Sequence, residues 1–410
     1  MHFDGNYGLI GRKLGHSYSP QIHSIIGDYK YSLFEMEEED VEVFLKKKDF
    51  DAINVTIPYK KTVMPFLDRI DEDALKIGSV NTIVKEKDGS LTGYNTDYYG
   101  FSYMLKKGNI DVKGKKVLVL GTGGASVTVQ SVIRDLGAKE ITVASRTSEP
   151  HYDQLEPYYD SQVIINTTPV GMYPNNLETL LDLDNFTCLE GVADVIYNPE
   201  RTQIILDAQK KGIKTISGLY MLAAQAKKAA EHFFKTEFDE SIIDETVRRL
   251  SFELTNIILV GMPGCGKTTI GNLLAEHYSR KLVDTDALII EKAGRSIPTI
   301  FEEQGEPGFR KIEAEVVKEV GKEKELIIAT GGGVIVTAEN HDALRQNGTV
   351  VFINRDINVL PTNGRPLSQQ NKLADMFSKR LPLYRSICHN EIDGNGTVEE
   401  VAERIMRLFL

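Results

Sequence analysis

The stretch GMPGCGKTT, residues 261–269, decides the fold of the C-terminal part of this chain. It follows an apolar run at 257–260 that predicts a buried strand, and it precedes a segment at 270–275 that predicts a helix. The spacing matches G-x-x-x-x-G-K-[ST], a loop whose backbone N–H groups surround phosphate oxygens. Lys267 would reach the outer phosphates and Thr268 would hold Mg²⁺. A plain glycine turn is disfavoured by this context, so we expect a nucleoside triphosphate site.

Length and charge limit the class of the protein. At 410 residues the chain exceeds one ordinary core, so two or three domains are expected. Its 59 acidic and 48 basic residues give a net charge of -11, which argues against nucleic acid as the main partner. No apolar run approaches the ~20 residues that span a bilayer, and the N-terminus lacks a signal-peptide pattern. Three scattered cysteines suit a reducing compartment, so we expect a cytoplasmic protein without a membrane partner.

The N-terminal part contains polar residues at the ends of predicted strands. Ser17 and Ser19 precede a helix start, where two hydroxyls could bind a polyol or carboxylate or could act as ordinary caps. The segment 54–57 alternates polar and apolar residues and predicts a strand that ends at Pro58. Lys60 then lies at a strand's carboxyl end, where open α/β sheets bind ligands, although a single lysine there is usually solvated.

The next segments predict a hairpin and then a second α/β unit. A strand is expected at 77–84, a turn at 85–89, and a return strand that leads to Asp97. An apolar strand at 117–120 then runs into GTGGAS, followed by a helix and a second strand, as in dinucleotide-binding βαβ units. The third position of that fingerprint is Ser126 rather than Gly or Ala, so the glycine motif is weak by itself.

The residue after the second strand of this unit distinguishes between two cofactors. NAD sites place Asp or Glu there to bind the ribose 2′-hydroxyl, whereas this chain has Arg146. An arginine suits a 2′-phosphate, so the position favours NADP over a simple surface arginine. A long helix at 219–234 carries Gln225, which is either on a polar face or directed at a ligand. A last charged helix at 238–254 places the boundary with the next domain near 252–256.

Taken together, these signals resemble a known family. From about residue 5 to 250 the chain resembles shikimate dehydrogenase in motif order, through YGLIG, HSYSP, NVTIPYK, GSVNTI, GYNTDYYG, GTGGAS, SRT, INTTPVGM, DVIYNP and GLYMLAAQA. The resemblance implies that 3-dehydroshikimate is reduced, with Lys60 and Asp97 as the catalytic pair. Lys60 can supply a proton and a positive charge to the developing alkoxide while Asp97 orients it. The substrate-binding residues would be Ser17, Ser19, Thr56, Lys60, Asn81, Asp97, Tyr197 and Gln225.

The same resemblance implies an NADP(H) site. Its residues would be Gly121, Thr122, Gly123, Gly124, Ala125, Ser126, Ser145, Arg146 and Thr147, with Gly218 near the nicotinamide. Three positions depart from the usual family pattern without removing a group that the chemistry needs. Arg12-Lys13 precedes Leu14 where a proline is usual, Thr122 replaces an alanine, and Ser145 replaces the asparagine before Arg146.

From about residue 255 to 410 the chain resembles shikimate kinase. Beyond the phosphate loop the matching stretches are VDTD at 283–286, GFRKIE at 308–313, TGGG at 330–333, GRPL at 364–367 and KRLPLY at 379–384. The resemblance implies that Asp286 holds the reacting hydroxyl of shikimate and that Arg310 and Arg380 bind its carboxylate. Gly332 would line the pocket. Phosphoryl transfer requires mainly positioning and neutralisation of charge, which these residues would provide.

The resemblance also implies the residues that bind ATP and Mg²⁺. Lys267 would act with Asp286 in catalysis, and the metal would lie near Thr268 and, through water, near Asp284. The ATP-binding residues would be Gly264, Cys265, Gly266, Lys267, Thr268, Thr269 and Arg365. Arg365 belongs to a lid, and the segment at 360–364 before it is short. Cys265 is interpreted as a small loop residue rather than a redox group.

These observations predict an α/β protein with three domains. Residues 1–100 and 219–252 would form an α/β substrate-binding domain, 101–218 a Rossmann-like NADP domain, and 255–410 a P-loop kinase with a parallel sheet and flanking helices. The expected function is NADPH-dependent reduction of 3-dehydroshikimate to shikimate, followed by ATP-dependent phosphorylation to shikimate 3-phosphate. Two alternatives are an NAD-dependent quinate/shikimate dehydrogenase, which Arg146 disfavours, and a scaffold without turnover. The presence of Lys60, Asp97, Lys267 and Asp286 disfavours the scaffold.

Overall fold

The computed structural model describes residues 3–15, 17–360 and 370–409. It confirms the α/β class, with one six-stranded and two five-stranded sheets. The chain divides into two compact units. The first unit is Met1–Pro169, Leu180–Tyr197 and Asp207–Leu250, and the second unit is Val170–Thr179, Asn198–Leu206 and Ser251–Leu410. No helix in the described part of the chain is long and apolar enough to cross a membrane.

The first sheet contains both parallel and antiparallel strands. Its strands are β1 (Tyr7–Gly11), β2 (Tyr31–Glu35), β3 (Ala52–Val55), β4 (Arg69–Ile70), β5 (Thr82–Lys85) and β6 (Leu91–Tyr94), in the order β2-β1-β3-β5-β6-β4. Its helices are α1 (Ser19–Ile26), α2 (Glu38–Lys47), α3 (Glu72–Ile77) and α4 (Asp97–Lys107). Strands β1 and β3 are parallel and buried throughout, whereas β5 and β6 form the expected hairpin.

Two predicted strand boundaries in this sheet are wrong. The strand expected at 77–84 begins at Thr82, because Ile77 ends α3 and Gly78 caps that helix with φ 71°. The strand expected to reach Pro58 ends at Val55, so Lys60 follows it by five residues rather than two. Lys60 nevertheless stays at the sheet because its carbonyl accepts a 2.8 Å hydrogen bond from the Val80 backbone N–H.

The second sheet is entirely parallel. Its strands are β7 (Lys116–Leu120), β8 (Glu140–Ala144), β9 (Val163–Asn166), β10 (Gly191–Asp194) and β11 (Lys214–Ser217), in the order β11-β10-β9-β7-β8. The helices of this part of the chain are α5 (Gly124–Asp135), α6 (Gln203–Lys210), α7 (Leu219–Phe234) and α8 (Ser241–Leu254). Strand β7 pairs with β8 on one side and β9 on the other, so the strand order reverses there, and ligands bind at such a point.

The third sheet is also parallel and forms the core of the second unit. Its strands are β12 (Asn256–Val260), β13 (Lys281–Asp284), β14 (Leu326–Ala329), β15 (Gly348–Asn354) and β16 (Asn390–Asp393), in the order β13-β14-β12-β15-β16. Its helices are α9 (Lys267–Tyr278), α10 (Thr285–Ala293), α11 (Ile297–Val320), α12 (Glu339–Arg345), α13 (Gln370–Ile387) and α14 (Val398–Met406). Helix α11 is two helices joined across a kink at Gly305.

The first residue of β12 provides a test of this core. The buried Asn256 side chain donates to the Glu323 carbonyl at 2.7 Å and accepts from the Leu326 backbone N–H at 2.9 Å. Asn256→Ala leaves the Leu326 N–H unpaired, while the Glu323 carbonyl keeps a hydrogen bond from Asn347, so we expect the second unit to lose about 1–3 kcal/mol of unfolding free energy. Urea unfolding followed by circular dichroism measures the loss. Asn358→Ala, at an exposed asparagine that bonds Asp356, is the control, and equal midpoints in the two variants would contradict the expectation.

Candidate active sites

A cavity of about 430 Å³ in the first unit brings together all the residues expected to bind its substrate. They reach it from the loop before α1, the segment after β3, the start of β5, the start of α4, the end of β10 and one face of α7. The expected residues that line the cavity are Ser17, Ser19, Thr56, Lys60, Asn81, Asp97, Tyr197, Gly218 and Gln225. Segments far apart in the chain therefore supply a single site.

The centre of this cavity is an ion pair. The Lys60 ammonium lies 2.6 Å from a carboxylate oxygen of Asp97, and the side chains are 27% and 17% exposed. Asp97 is the first residue of α4, and its backbone N–H donates to the Asn95 side chain. A proton donor is thus held by a fixed carboxylate in a site with restricted access to water, where a charge has a larger effect than in bulk solvent.

The two serines form one edge of the cavity. The Ser17 hydroxyl donates to the Ser19 hydroxyl at 3.1 Å and accepts from the Ser19 backbone N–H at 3.2 Å. Ser19 is the first residue of α1, so both hydroxyls lie at the positive end of that helix. Hydroxyl donors at a helix N-terminus suit an anionic group such as a carboxylate.

Amide side chains line the opposite edge of the cavity. Asn81 accepts from the Thr96 backbone N–H at 2.8 Å and donates to the Thr96 hydroxyl. Gln225 donates to the Leu222 carbonyl and lies on the face of α7 that lines the cavity, where it can reach a ligand. Burial raises the pKa of Tyr197, so its hydroxyl stays protonated and can donate at neutral pH.

A buried network that the sequence analysis missed links the two edges of the cavity. The Tyr31 hydroxyl donates to Asn54 at 2.8 Å and interacts with the nearby Ser19 side chain. Asn54 donates to the Asn81 carbonyl at 3.3 Å. The His23 ring stacks on Tyr31 at 3.9 Å, and burial lowers the pKa of His23 to about 3, so it is neutral. The one available sequence signal was the alternation that puts Asn54 on the same side of its strand as Thr56.

The glycine turn after β7 leaves an open space at the start of α5. Gly121 has φ 101°, and a Cβ there would lie 2.9 Å from the Thr168 methyl group. A Cβ on Gly123 or Gly124, by contrast, would have no atom within 4 Å. Helix α5 begins at Gly124, so the space lies at its positive end. The remaining residues expected in this turn are Thr122, Ala125 and Ser126, and Ser126 accepts a hydrogen bond from Gln130.

Ser145 shapes the loop expected to distinguish NADP from NAD. Its hydroxyl accepts hydrogen bonds from the backbone N–H groups of Thr147 at 3.1 Å and Ser148 at 2.9 Å. The serine found in place of the usual asparagine therefore has a clear local function, which is to turn the chain. Arg146 lies exposed at the tip of this turn. Gly218 is tightly constrained, because a Cβ would lie 2.0 Å from the Val195 carbonyl oxygen.

The phosphate loop of the second unit depends on three glycines with positive φ. These are Gly261 at 152°, Gly264 at 85° and Gly266 at 100°. Helix α9 begins at Lys267, so Thr268 and Thr269 present their backbone N–H groups in its first turn. The Lys267 ammonium donates to the carbonyls of Gly261 at 2.8 Å and Met262 at 3.0 Å. Cys265 is fully buried inside the loop, as a small structural residue would be.

Two oxygens beside this loop fit a magnesium ion. The Thr268 hydroxyl donates to an Asp284 carboxylate oxygen at 2.8 Å, and the other Asp284 oxygen accepts from the Asp286 backbone N–H. Hydroxyl and carboxylate oxygens are ligands that Mg²⁺ prefers. Among the described residues no group of three or more His, Cys, Asp or Glu side chains could hold a metal. Mg²⁺ is commonly bound by one or two such oxygens together with phosphate groups of a substrate.

A second cavity of about 220 Å³ is lined by the four residues expected to bind shikimate in the kinase domain. Arg380 donates to the Gly332 carbonyl and Arg310 to the Gly333 carbonyl, each at 3.1 Å. Asp286 and Gly332 also line it. Glu313 belongs to the GFRKIE stretch, but no role was predicted for it. It is buried and accepts from Arg310 at 2.8 Å, and its spacing of three residues on one helix was the available signal.

The glycines of TGGG lie very close to the charged side chains of this cavity. A Cβ on Gly333 would lie 2.6 Å from the Arg310 guanidinium, and one on Gly331 would lie 2.5 Å from an Asp286 oxygen. A charged pocket of this size suits a small polar anion. Arg365 and the segment 361–369 lie outside the described residues, so the lid contact remains a prediction.

Two family models match separate parts of this chain. Residues 9–83 match the family model "Shikimate dehydrogenase substrate binding domain", and 263–409 match "Shikimate kinase". The NADP(+) shikimate dehydrogenase of Clostridium perfringens strain SM101 is 39% identical over 57% of this chain and 94% of the relative.

Two solved structures are similar to the first part of the chain. A chorismate mutase/shikimate 5-dehydrogenase fusion protein from Clostridium acetobutylicum is 39% identical, with a TM-score of 0.56, over 60% of this chain and 98% of the other. A Thermus thermophilus shikimate 5-dehydrogenase in complex with NADP(H) and shikimate is 30% identical, with a TM-score of 0.54, over 59% and 98%.

The network behind the two serines generates a prediction. Tyr31→Phe removes the hydroxyl that joins Ser19 to Asn54, so we expect shikimate to bind about tenfold more weakly, as the loss of one or two hydrogen bonds implies. Calorimetry with shikimate measures the change. Tyr29→Phe is the matched control, because the Tyr29 hydroxyl contacts His23 in the same buried cluster. Equal affinities of the two variants would show that Tyr31 contributes only to packing.

Proposed function

The chain belongs to the shikimate dehydrogenase family and carries a shikimate kinase domain in its C-terminal region, and from this premise we propose which residues perform its two reactions. It is a bifunctional enzyme of the shikimate pathway, with NADP and ATP as the cosubstrates of its two activities. The first activity reduces 3-dehydroshikimate to shikimate, and the second phosphorylates shikimate. The observation that carries the residue assignment is the Lys60–Asp97 pair at 2.6 Å inside a cavity lined by every expected substrate residue.

In the reduction, bound NADPH supplies the hydride to the ketone carbon. The Lys60 ammonium donates a proton to the oxygen on which negative charge develops, and Asp97 fixes the position of the donor. Ser17 and Ser19 bind the substrate carboxylate at the start of α1. Asn81, Thr56, Tyr197 and Gln225 bind the remaining hydroxyl groups. These contacts orient the ketone so that proton transfer needs no further rearrangement of the site.

The preference for NADP is assigned to the loop after β8. The exposed Arg146 binds the 2′-phosphate, and Ser145 and Thr147 hold the turn that presents it. The open space above Gly123 and Gly124 receives the pyrophosphate at the start of α5. Gly218 lets the backbone approach the nicotinamide, since no side chain fits beside the Val195 carbonyl.

In the phosphorylation, the chain's own residues position the acceptor and neutralise charge. Asp286 binds the reacting hydroxyl, while Arg310 and Arg380 bind the carboxylate in the 220 Å³ cavity. Lys267, whose ammonium now contacts two loop carbonyls, binds the outer phosphates when ATP is present. Thr268 and Asp284 hold Mg²⁺, which supplies further neutralisation of phosphate charge.

The predicted domain limits are kept as part of this proposal. Residues 1–100 and 219–252 form the substrate-binding part of the dehydrogenase, 101–218 the NADP-binding part, and 255–410 the kinase. The six-stranded sheet, the sheet from β7 to β11 and the sheet from β12 to β16 support this division. We also propose the cytoplasm as the location, since Cys188, Cys265 and Cys388 are free thiols.

Reciprocal substitutions test the two-site assignment. Lys60→Ala should lower kcat for reduction by about 10²–10⁴-fold, because it removes the proton donor. Kinase activity of the same protein should be unchanged. Asp286→Asn should do the reverse, with NADPH oxidation unchanged and ADP formation lost. If either substitution lowered both activities in protein with an unchanged circular dichroism spectrum, the assignment of separate sites would be wrong.

The cofactor assignment has its own test. Arg146→Gln should raise KM for NADPH by about 10–100-fold, as expected for the loss of charged hydrogen bonds, and should leave KM for NADH nearly unchanged. Arg134→Gln, at another exposed arginine of the first unit, is the control. An equal rise in KM for both cofactors would contradict a 2′-phosphate contact and would favour the NAD-dependent quinate/shikimate alternative.

A further inference from the structure

Arg355 is an arginine of the second unit that has no assigned role in either reaction. It follows β15 directly, and β15 lies beside the strand that leads into the phosphate loop. One terminal nitrogen of Arg355 lies 3.9 Å from the position of a Cβ on Gly266, the residue that precedes α9. The guanidinium therefore stands next to the phosphate-binding backbone, on a segment anchored by the central sheet.

The hydrogen bonds of Arg355 are incomplete. Its Nε atom is buried and has no hydrogen-bond partner in the described part of the chain. A buried guanidinium nitrogen without a partner costs free energy, and such a group in a folded protein requires an explanation. A ligand that accepts hydrogen bonds from the terminal nitrogens of the same guanidinium would offset this cost.

Arg355 also lines a cavity of about 670 Å³ at the ends of β15 and β16. The acidic residues of this cavity have other partners. Glu391 accepts hydrogen bonds from Arg385 at 2.8 and 3.0 Å, and Asp393 accepts from Asn395. Asp356 accepts from Asn358. Among the described residues that line the cavity, Arg355 is thus the cation left without a carboxylate partner.

We propose that Arg355 is a nucleotide-binding residue whose guanidinium donates hydrogen bonds to the phosphate chain of ATP where it leaves the phosphate loop. The inference rests on the proposed kinase function. An arginine suits this position because its planar fork of N–H groups matches phosphate oxygens and keeps its charge at every physiological pH. The cavity beside it is large enough for the nucleoside, and Asn354 and Asn395 offer polar groups at its wall.

The position of Arg355 distinguishes it from a lid residue. The backbone of β15 pairs with β12 at Val260↔Phe352 and with β16 at Asn354↔Asp393. A Cβ on Gly261 would lie 2.7 Å from the Ile353 carbonyl oxygen, so the loop and the end of β15 are in direct contact. The sheet holds both the phosphate loop and the end of β15. Arg355 is therefore positioned before ATP binds, and the protein loses little conformational entropy on binding.

The test compares nucleotide binding in the full-length protein. Arg355→Gln should weaken ATP binding about 10–100-fold by calorimetry and raise KM for ATP to a similar extent, as for the loss of charged hydrogen bonds. The KM for shikimate and the rate of NADPH oxidation should be unchanged. Arg355→Lys should restore part of the affinity. The Arg355→Gln variant should also bind inorganic tripolyphosphate more weakly than the unmodified protein does, since the proposed contact is with phosphate.

A second arginine near the same cavity provides the control. Arg385→Gln removes an exposed arginine that pairs with the cavity residue Glu391, and it should change ATP affinity less than twofold. Equal losses in the two variants would overturn the proposal in favour of a general charge effect, and so would unchanged ATP affinity in Arg355→Gln. Unchanged tripolyphosphate affinity would place the contact on the nucleoside and overturn the phosphate assignment. Absence of kinase turnover in the unmodified protein would refute the proposed function separately, because calorimetry does not require turnover.

Discussion

Both nucleotide sites depend on one steric constraint at the end of a buried strand. After β7 the chain turns through Gly121, and after β12 it turns through Gly261, each with positive φ. A Cβ at Gly121 would lie 2.9 Å from Thr168, and one at Gly261 would lie 2.7 Å from the Ile353 carbonyl. The glycines allow the chain to pass close to the neighbouring strand before a helix begins, at Gly124 in one case and at Lys267 in the other. The N–H groups of that helix then face a space where phosphate groups fit.

The two substrate sites meet the demands of a small anionic substrate in different ways. The first uses hydroxyl and amide groups with a single ion pair, and its Ser17–Ser19 edge is braced by Tyr31 and Asn54. The second uses two arginines that are anchored on loop carbonyls, and one of them also pairs with the buried Glu313. A reduction needs one well-placed proton donor, whereas phosphoryl transfer must neutralise several negative charges. The second site therefore contains more cationic side chains than the first.

Buried polar groups hold much of this geometry. Asn256 joins the start of β12 to the turn before β14, and Ser145 closes the turn that presents Arg146. In each case one side chain makes two hydrogen bonds to backbone groups. Arg355 differs, because its Nε is buried without a partner in the described residues, and for this reason we assign it to ligand binding rather than to support of the fold.

The sequence by itself determined the α/β class and the two families, and it predicted the residues to which we assign the chemistry, because glycine turns and the motifs around them need specific residue types at fixed local spacing. It did not determine where β3 ends or β5 begins, since tertiary pairing of β3 and β5 overrides the local alternation at 54–57 and 77–84. It also could not reveal that Tyr31 contacts Asn54 or that Arg355 lies beside Gly266, and it indicated the pair of Glu313 and Arg310 only through their spacing on one helix. Those contacts join residues from separate segments or depend on burial, and only the folded chain sets which side chains meet and which of them lose water.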